Sequence, residues 1–307
     1  MKNNPGILLV GTGAVGSYFA GRLHQAGARV AAVCRSDYDA VKEKGIFIKS
    51  INGDYHFIPE ETVKNASDCS MEPDYIMVAT KVLPEINVPG LIKEKVKAGT
   101  SIFLLQNGID IERHAAEAFP ENELISGLAF ICVRRTSFGN IDHEDYGRIV
   151  IGKYPSGNSR KVDILSELFI KSGVSCSIES DIITARWKKL LWNAPFNPIS
   201  VLAGGKNTRE MCDSEPTLTL VRKVMEEVRN LAVASGHPFP ESAIQKNLDD
   251  TFVMTPYKTS MLLDYENGRP MEVEAILGNA VRIAKNLGLN VPHVESLYGL
   301  LYLKNMK

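Results

Sequence analysis

Residues 7–16 read Ile-Leu-Leu-Val-Gly-Thr-Gly-Ala-Val-Gly, four apolar residues followed by glycines at positions 11, 13 and 16. A short apolar run of this kind is a buried strand, and G-x-G-x-x-G directly after it is the spacing of a phosphate loop that opens a helix. Gly11 permits the tight turn, Gly13 lets the backbone approach a pyrophosphate, and Gly16 lets helix and strand pack closely. The helix beginning at Ala14 turns its first N–H groups and the positive end of its dipole toward bound phosphates. Gly11, Thr12, Gly13, Ala14, Val15 and Gly16 are therefore candidate dinucleotide-binding residues.

Outward from this loop the pattern continues. Arg29–Cys34, Tyr75–Ala79 and Ser101–Leu105 read as further strands, and Ala14–Ala26 and Pro89–Ala98 as helices, the first closed by Gly27. Leu124–Arg134 and Gly147–Lys153 read as later strands joined by a hairpin-like return around Gly139 and Asn140. Short strands alternating with helices predict a parallel sheet with crossover helices, an α/β Rossmann-type dinucleotide-binding domain over residues 1–179. Beyond it the apolar residues fall at helical spacing. Val221, Val224, Met225, Val228, Leu231 and Ala232 share one stripe, and Val273, Ile276, Leu277, Ala280 and Ala284 another, so residues 180–307 form an all-helical domain. At 307 residues, two domains are also what length alone favours.

The second strand ends in Cys34-Arg35-Ser36, where an NAD-binding protein presents an acid to the ribose 2′-hydroxyl. A guanidinium pairs instead with a 2′-phosphate, so Arg35 favours NADP(H). The competing reading makes Arg35 a solvated charge and gives the ribose to Asp37 or Asp39. Ligands of open α/β sheets collect at the carboxyl ends of the strands, where Thr80-Lys81 and Gln106-Asn107-Gly108 also stand. Lys81 and Asn107 are candidates for the cofactor or substrate, with a surface lysine and a turn asparagine as the alternatives.

In the helical part, Lys189, Asn193 and Asn197 lie four residues apart, flanked by Trp187, Leu190, Leu191, Trp192 and Phe196. The spacing stacks one ammonium and two amides along a helix face, a polar seam in an apolar segment. A partly desolvated lysine suits a general acid toward a carbonyl. The same pattern also describes a solvent-facing stripe on an otherwise buried helix. Further on, Ser260 supplies a hydroxyl, and Glu272 a carboxylate that serves equally as a helix-start acid.

Thirty-five Lys and Arg against 36 Asp and Glu leave a net charge of −1, and no basic stretch interleaves with aromatics, which argues against a nucleic-acid partner. The first residues lead into a strand far shorter than the ~20 apolar residues of a membrane span, and no cleavable signal pattern follows, so no membrane partner and a cytoplasmic location are expected. Five scattered cysteines form no C-x-x-C pair, and the six histidines never take the spacing of a metal-binding helix face, so no metal is expected.

Taken in order, G-x-G-A-x-G, the C-R after the second strand, T-K, Q-N-G, the W-x-K-L-x-x-N-x-x-x-N-P block at Trp187–Pro198, and T-S-M followed by Glu272 after the G-R-P turn resemble the ketopantoate reductase family over nearly the whole chain. The resemblance implies an NADPH-binding Rossmann domain followed by a helical domain like the C-terminal part of 6-phosphogluconate dehydrogenase. It implies reduction of a small-molecule 2-oxo acid, 2-dehydropantoate, to pantoate by hydride transfer to C2, a step of pantothenate and coenzyme A biosynthesis. Under it Lys189 is the catalytic acid and Glu272 the catalytic carboxylate that fixes the substrate hydroxyl. Asn107, Lys189, Asn193, Asn197, Asn207 and Ser260 become substrate contacts, and Gly11, Gly13, Gly16, Arg35, Lys81 and Asn107 cofactor contacts. A homodimer is compatible with the reading. Tyr257 stands where the family often has an asparagine, and Val273–Gly278 departs from the usual I-D-x-I-N-G, with Leu277 in place of its asparagine. These departures bear on the choice of acid and leave open a reductase of a related branched 2-oxo acid; a non-catalytic NADPH-sensing protein is the alternative from another class.

Overall fold

The computed structural model describes residues 4–306; residues 1–3, at the start of the leading segment, and residue 307 lie outside them. The chain divides into two compact units. The first comprises the chain up to Lys81, Asn87–Gln106 and Glu112–Ile182, and the second Val82–Ile86, Asn107–Ile111 and the chain from Ile183 onward.

In the first unit the elements run β1 (Gly6–Val10), α1 (Ala14–Gln25), β2 (Arg29–Val33), α2 (Tyr38–Lys44), β3 (Ile46–Ser50), β4 (Tyr55–Phe57), β5 (Glu61–Val63), β6 (Tyr75–Val78), α3 (Val88–Ile92), β7 (Ser101–Leu105), α4 (Arg113–Ala118), β8 (Leu124–Ser137), β9 (Asn140–Tyr154), α5 (Arg160–Lys171) and β10 (Cys176–Ile178). All ten strands join one sheet. Its heart is the parallel series β5-β2-β1-β6-β7-β8, the doubly wound order in which the chain turns back between β1 and its neighbour β6. β1, β6 and β7 are buried along their whole length, which is why they appear in the sequence as continuous apolar runs. β9 returns antiparallel along β8 and carries β3 and β10 in parallel, with β4 antiparallel at the edge beside β3. The hairpin is longer than the two strands expected, because irregularities at Phe130/Ile131 and Cys132/Val133 shift the register without ending the pairing.

One expected helix is largely absent. The Pro89–Ala98 segment is helical only over Val88–Ile92. Pro89 and the weak helix former Gly90 fill its first turn, and beyond it the N–H groups of Lys95 and Thr100 bond three residues back, to Ile92 and Lys97, in turns that close rather than propagate. α1 ends as expected, with Gly27 at φ 101° beyond the cap.

The second unit holds α6 (Ile182–Leu202), which enters it at Ile183, then α7 (Thr208–Cys212), α8 (Glu215–Ala234), α9 (Ser242–Val253), α10 (Ser260–Glu266), a π turn over Glu274–Gly278, α11 (Asn279–Leu287) and α12 (Pro292–Asn305). The buried residues of α8 are the six of the stripe read from its sequence. Val273, Ile276, Leu277, Ala280 and Ala284 are buried too, but the helix carrying them widens by one residue at the π turn. Each unit has its own apolar core, one built on α6, α8 and α11 and one on the sheet and α1. Among the described residues no helix is long and apolar enough to cross a membrane.

Candidate active site

The first group of site residues belongs to the sheet unit. Gly11 has φ +106°, and a Cβ there would lie 2.8 Å from the Thr80 nitrogen, so the turn after β1 runs directly against the end of β6. This is the switch point of the sheet, where ligands of such folds bind. At Gly16 a Cβ would press into the Gly11 carbonyl oxygen and approach the Ala79 Cβ at 2.8 Å, whereas at Gly13 it would meet no protein atom within 4 Å. Gly13 is the N-cap of α1, without a capping side chain, and the first turn carries no acid. Helix N–H groups opening on free space beside a glycine are a fit for a pyrophosphate.

At the end of β2, Arg35 and Ser36 are exposed while Asp37 is buried at 3% exposure. The Asp37 carboxylate accepts the Thr12 hydroxyl at 2.6 Å and lies 3.8 Å from Arg135 Nη1. It is turned inward, toward the loop, and Thr12 has only its backbone left for a phosphate. Asp39 is exposed in the first turn of α2. An exposed guanidinium with the nearest carboxylate already engaged suits a 2′-phosphate better than a 2′-hydroxyl. Burial pushes the neighbouring Cys34 thiol up to about 12, so it stays protonated. At the end of β6 Lys81 is half-buried, and the preceding Thr80 accepts the Gln106 amide on both its carbonyl and its hydroxyl, at 2.8 and 3.2 Å.

The second group belongs to the helical unit. α6 places Lys189, Asn193 and Asn197 on successive turns. Lys189 is half-buried, Asn193 is 8% exposed and Asn197 2%, so the seam runs through the interior. Lys189 Nζ donates to Asn107 Oδ1 at 2.8 Å, and Asn107 Nδ2 stands 3.5 Å from Glu272 Oε2. Glu272 Oε1 accepts the Val82 N–H at 2.9 Å. The Asn107 amide thus turns its oxygen to the cation and its nitrogen to the anion, the only orientation that serves both. Two residues beyond Glu272 begins the π turn, a departure from α geometry that recurs at functional sites. Among the described residues Asn197 Oδ1 is buried without a hydrogen-bond partner.

The remaining sequence candidates fall differently. Asn207 caps α7, its Oδ1 accepting the Glu210 N–H at 3.0 Å in a reciprocal capping box. Ser260 is exposed on the first turn of α10, whose cap is Thr259. Tyr257 is half-buried, its N–H donating to the Thr208 hydroxyl. Leu277 is fully buried in the helical core, which makes that departure one of packing. Sequence reasoning missed Arg186, buried at 1% exposure with Nη1 donating to the Gly108 carbonyl, and Asn279, donating to the Ile109 carbonyl. The signal available for Arg186 was its place one turn before Lys189 on the same face; Asn279 had none. Among the described residues no three His, Cys, Asp or Glu side chains gather as a metal site would require.

Residues 7–156 match the family Ketopantoate reductase PanE/ApbA, and residues 181–305 match Ketopantoate reductase PanE/ApbA C terminal. A 2-dehydropantoate 2-reductase of Nostoc sp. is 37% identical over 295 residues, covering 94% of this chain and 92% of the relative. The crystal structure of a 2-dehydropantoate 2-reductase from Methylococcus capsulatus is 46% identical with a TM-score of 0.92, covering 98% of both chains. That of a 2-dehydropantoate 2-reductase from Geobacter metallireducens is 32% identical with the same TM-score, covering 97% of this chain and 99% of the other. Matched in both halves and similar over its length to these enzymes, the chain belongs to the ketopantoate reductase family.

Proposed function

We propose that this chain is a cytoplasmic NADPH-dependent oxidoreductase that reduces 2-dehydropantoate to pantoate, a step of pantothenate and coenzyme A biosynthesis. The observation that carries the reading is the run Lys189–Asn107–Glu272, because a half-buried ammonium held by a neutral amide is an aimed proton donor rather than a surface charge. The names of the relatives support the choice of acid.

When bound, the reduced nicotinamide supplies a hydride to the C2 carbonyl carbon. Gly11, Gly13, Gly16 and the first N–H groups of α1 would hold the pyrophosphate, and Arg35 the 2′-phosphate, with Lys81 and Asn107 near the strand ends as further contacts. Lys189 gives one proton to the carbonyl oxygen: an N–H bond breaks, an O–H bond forms, and the lysine regains its proton from solvent. Before transfer, its charge stabilises the oxygen as negative charge builds there. Glu272, held by the Val82 N–H, accepts the substrate hydroxyl. Asn193 and Asn197 offer buried amides to the substrate carboxylate or hydroxyl, the hydroxyl being the group that can donate to Asn197 Oδ1, with Asn207 and Ser260 as outer contacts.

The test is NADPH oxidation with 2-dehydropantoate, run beside NADH and beside other branched 2-oxo acids. Lys189→Ala should lower kcat by roughly 10²-fold or more, the scale of a general acid. Near-wild-type turnover in that variant refutes the assignment, and turnover confined to another acid refutes the substrate. A homodimer is the assembly proposed, and sedimentation at twice the mass of the 307-residue chain tests it.

A further inference from the structure

We propose that Arg186 and Asn279 are positioning residues for the proton donor: they clamp the backbone of the Asn107–Ile111 loop, and the clamped loop fixes where the Lys189 ammonium sits. The inference rests on the reading of Lys189 as the donor.

A lysine has four rotatable side-chain bonds, and α6 by itself leaves its ammonium free to sweep over several ångströms. One partner of that ammonium is Asn107 Oδ1 at 2.8 Å, on a residue of a loop rather than of a helix or strand. A loop asparagine holds a lysine only if its own backbone is held. Here the two residues after it are tied at three points. The Gly108 carbonyl accepts Arg186 Nη1 at 3.1 Å, the Ile109 N–H donates to the Ala275 carbonyl at 3.1 Å, and the Ile109 carbonyl accepts Asn279 Nδ2 at 2.6 Å. Gly108 and Ile109 are buried, and the Arg186 bond is buried with them, away from competing water, while the Asn279 bond is part-buried.

The fit is close as well as bonded. Gly108 sits at φ +106°, and a Cβ there would lie 2.5 Å from the Ala275 oxygen and 2.7 Å from the Ala275 Cβ. Only a hydrogen fits between the loop and the π turn. Asn279 is itself oriented: Arg282 donates to its Oδ1 at 2.6 Å and to Glu274 Oε2 at 2.6 Å, and Glu274 Oε1 accepts the Tyr298 hydroxyl at 2.7 Å. With its oxygen committed to Arg282, the Asn279 amide has its nitrogen for the loop. Arg186 lies one turn before Lys189 and reaches the residue next to the lysine's partner, so two cations of one helix face grip adjacent residues of the loop.

Three variants approach the clamp from different sides. Asn279→Ala removes one bond to the loop, Gly108→Ala forces the loop off the π turn, and Arg186→Met is compared with Arg186→Lys, which keeps an N–H donor. Each of the first three should lower kcat roughly tenfold, since a misplacement of about 1 Å costs up to about 10²-fold. The solvent deuterium isotope effect on kcat should rise as proton delivery becomes limiting, and Arg186→Lys should recover part of the loss. A structural defect alone would lower the melting temperature without raising the isotope effect. Wild-type kcat in Asn279→Ala and Arg186→Met, with Lys189→Ala inactive, overturns the clamp. Wild-type kcat in Lys189→Ala overturns the donor reading instead. If Gly108→Ala does not fold, the other variants decide the outcome.

Discussion

Replacing Gly13 by alanine separates a glycine kept for a ligand from one kept for the fold. Its backbone, φ −69° and ψ 179°, is open to any L residue, and the added methyl meets no protein atom within 4 Å. Two small effects on the protein alone oppose each other. Alanine is a poorer N-cap than glycine by about 0.5–1 kcal/mol, and the unfolded chain loses freedom that stabilises the variant by about 0.4–1 kcal/mol. The net change is within about 0.5 kcal/mol. Gly16→Ala is the control, because its methyl would press into the Gly11 carbonyl oxygen and lie 2.8 Å from the Ala79 Cβ. Helix and strand must then part, at a cost of about 1–3 kcal/mol, with each kcal/mol lowering the melting temperature by about 2–4 °C in a chain of this size. Ligand reverses the ranking of interest. NADPH at a hundred times its Kd adds about 2.7 kcal/mol of stability, and a tenfold weaker site at the same concentration adds about 1.4. Melts of the three proteins with and without NADPH should therefore show Gly13→Ala matching wild type when empty and gaining about 3–5 °C less when loaded. An undiminished NADPH-induced rise in Gly13→Ala would refute the reasoning, because the space over Gly13 would then not be where the pyrophosphate lies.

The two asparagines that flank the end of α6 should respond in opposite ways. Asn197→Leu removes a buried acceptor that has no partner, so it should leave the melting temperature equal or higher and raise KM for the acid about tenfold or more; Asn207→Ala removes a helix cap and should cost about 0.5–2 kcal/mol with a smaller effect on KM. The reverse pattern would exchange their roles. Arg35→Ser should raise KM for NADPH about tenfold or more while leaving NADH nearly untouched, and an equal effect on both cofactors would remove the 2′-phosphate from its neighbourhood. Buried His143 turns Nδ1 to the Ser50 hydroxyl at 2.8 Å and Nε2 to the Asp145 and Tyr146 carbonyls, so Nε2 carries the proton. Burial holds its pKa below the ordinary 6.5. The unfolded chain then takes up a proton that the native state resists, so this contribution is whole above pH 6.5 and is lost as the pH falls below it. The drop in melting temperature from pH 7 to 5 should be shallower in His143→Gln, and an unchanged slope would count against this residue as a source of it.

What could be read directly from the chain followed how much contrast each element shows between its faces. β1, β6 and β7 are buried on both sides and stand out as apolar runs, and α8 has one dry stripe whose six residues were legible in full. β4, β5 and β10 are three residues each, too short for any periodicity. The π turn was invisible for another reason: Val273, Ile276, Leu277, Ala280 and Ala284 stand at ordinary helical spacing in the sequence, and nothing in that spacing records the extra residue of the turn. At the site, the four-residue spacing of Lys189, Asn193 and Asn197 was visible. Their burial was not, since Lys and Asn are equally common on exposed faces. The pairing of Lys189 with Asn107 spans 82 residues and that of Arg186 with Gly108 spans 78, and no local pattern in one sequence registers contacts made at such a distance.

The seam on α6 is costly to the fold. Leu190, Leu191, Ala194 and Phe196 are packed in the helical core around it, and apolar residues at 193 and 197 would pack there without desolvating amides. An orphaned buried acceptor such as Asn197 Oδ1 costs about 1–3 kcal/mol. Pro195 and Pro198 add to the expense, since neither can donate the helix hydrogen bond to the carbonyls of Leu191 and Ala194. Four departures from a well-made helix within about two turns, on the same element as Lys189, are not what packing alone selects. A ligand that accepts from the amides and donates to the oxygen would offset the cost only when bound. Asn207 shows the contrast: equally polar and close in sequence, it has its oxygen committed to a helix cap, and its place in the fold is explained without any ligand. Under the function proposed above, this face of α6 is the substrate-reading side, and Asn197, at 2% exposure, is the more buried of its two asparagines.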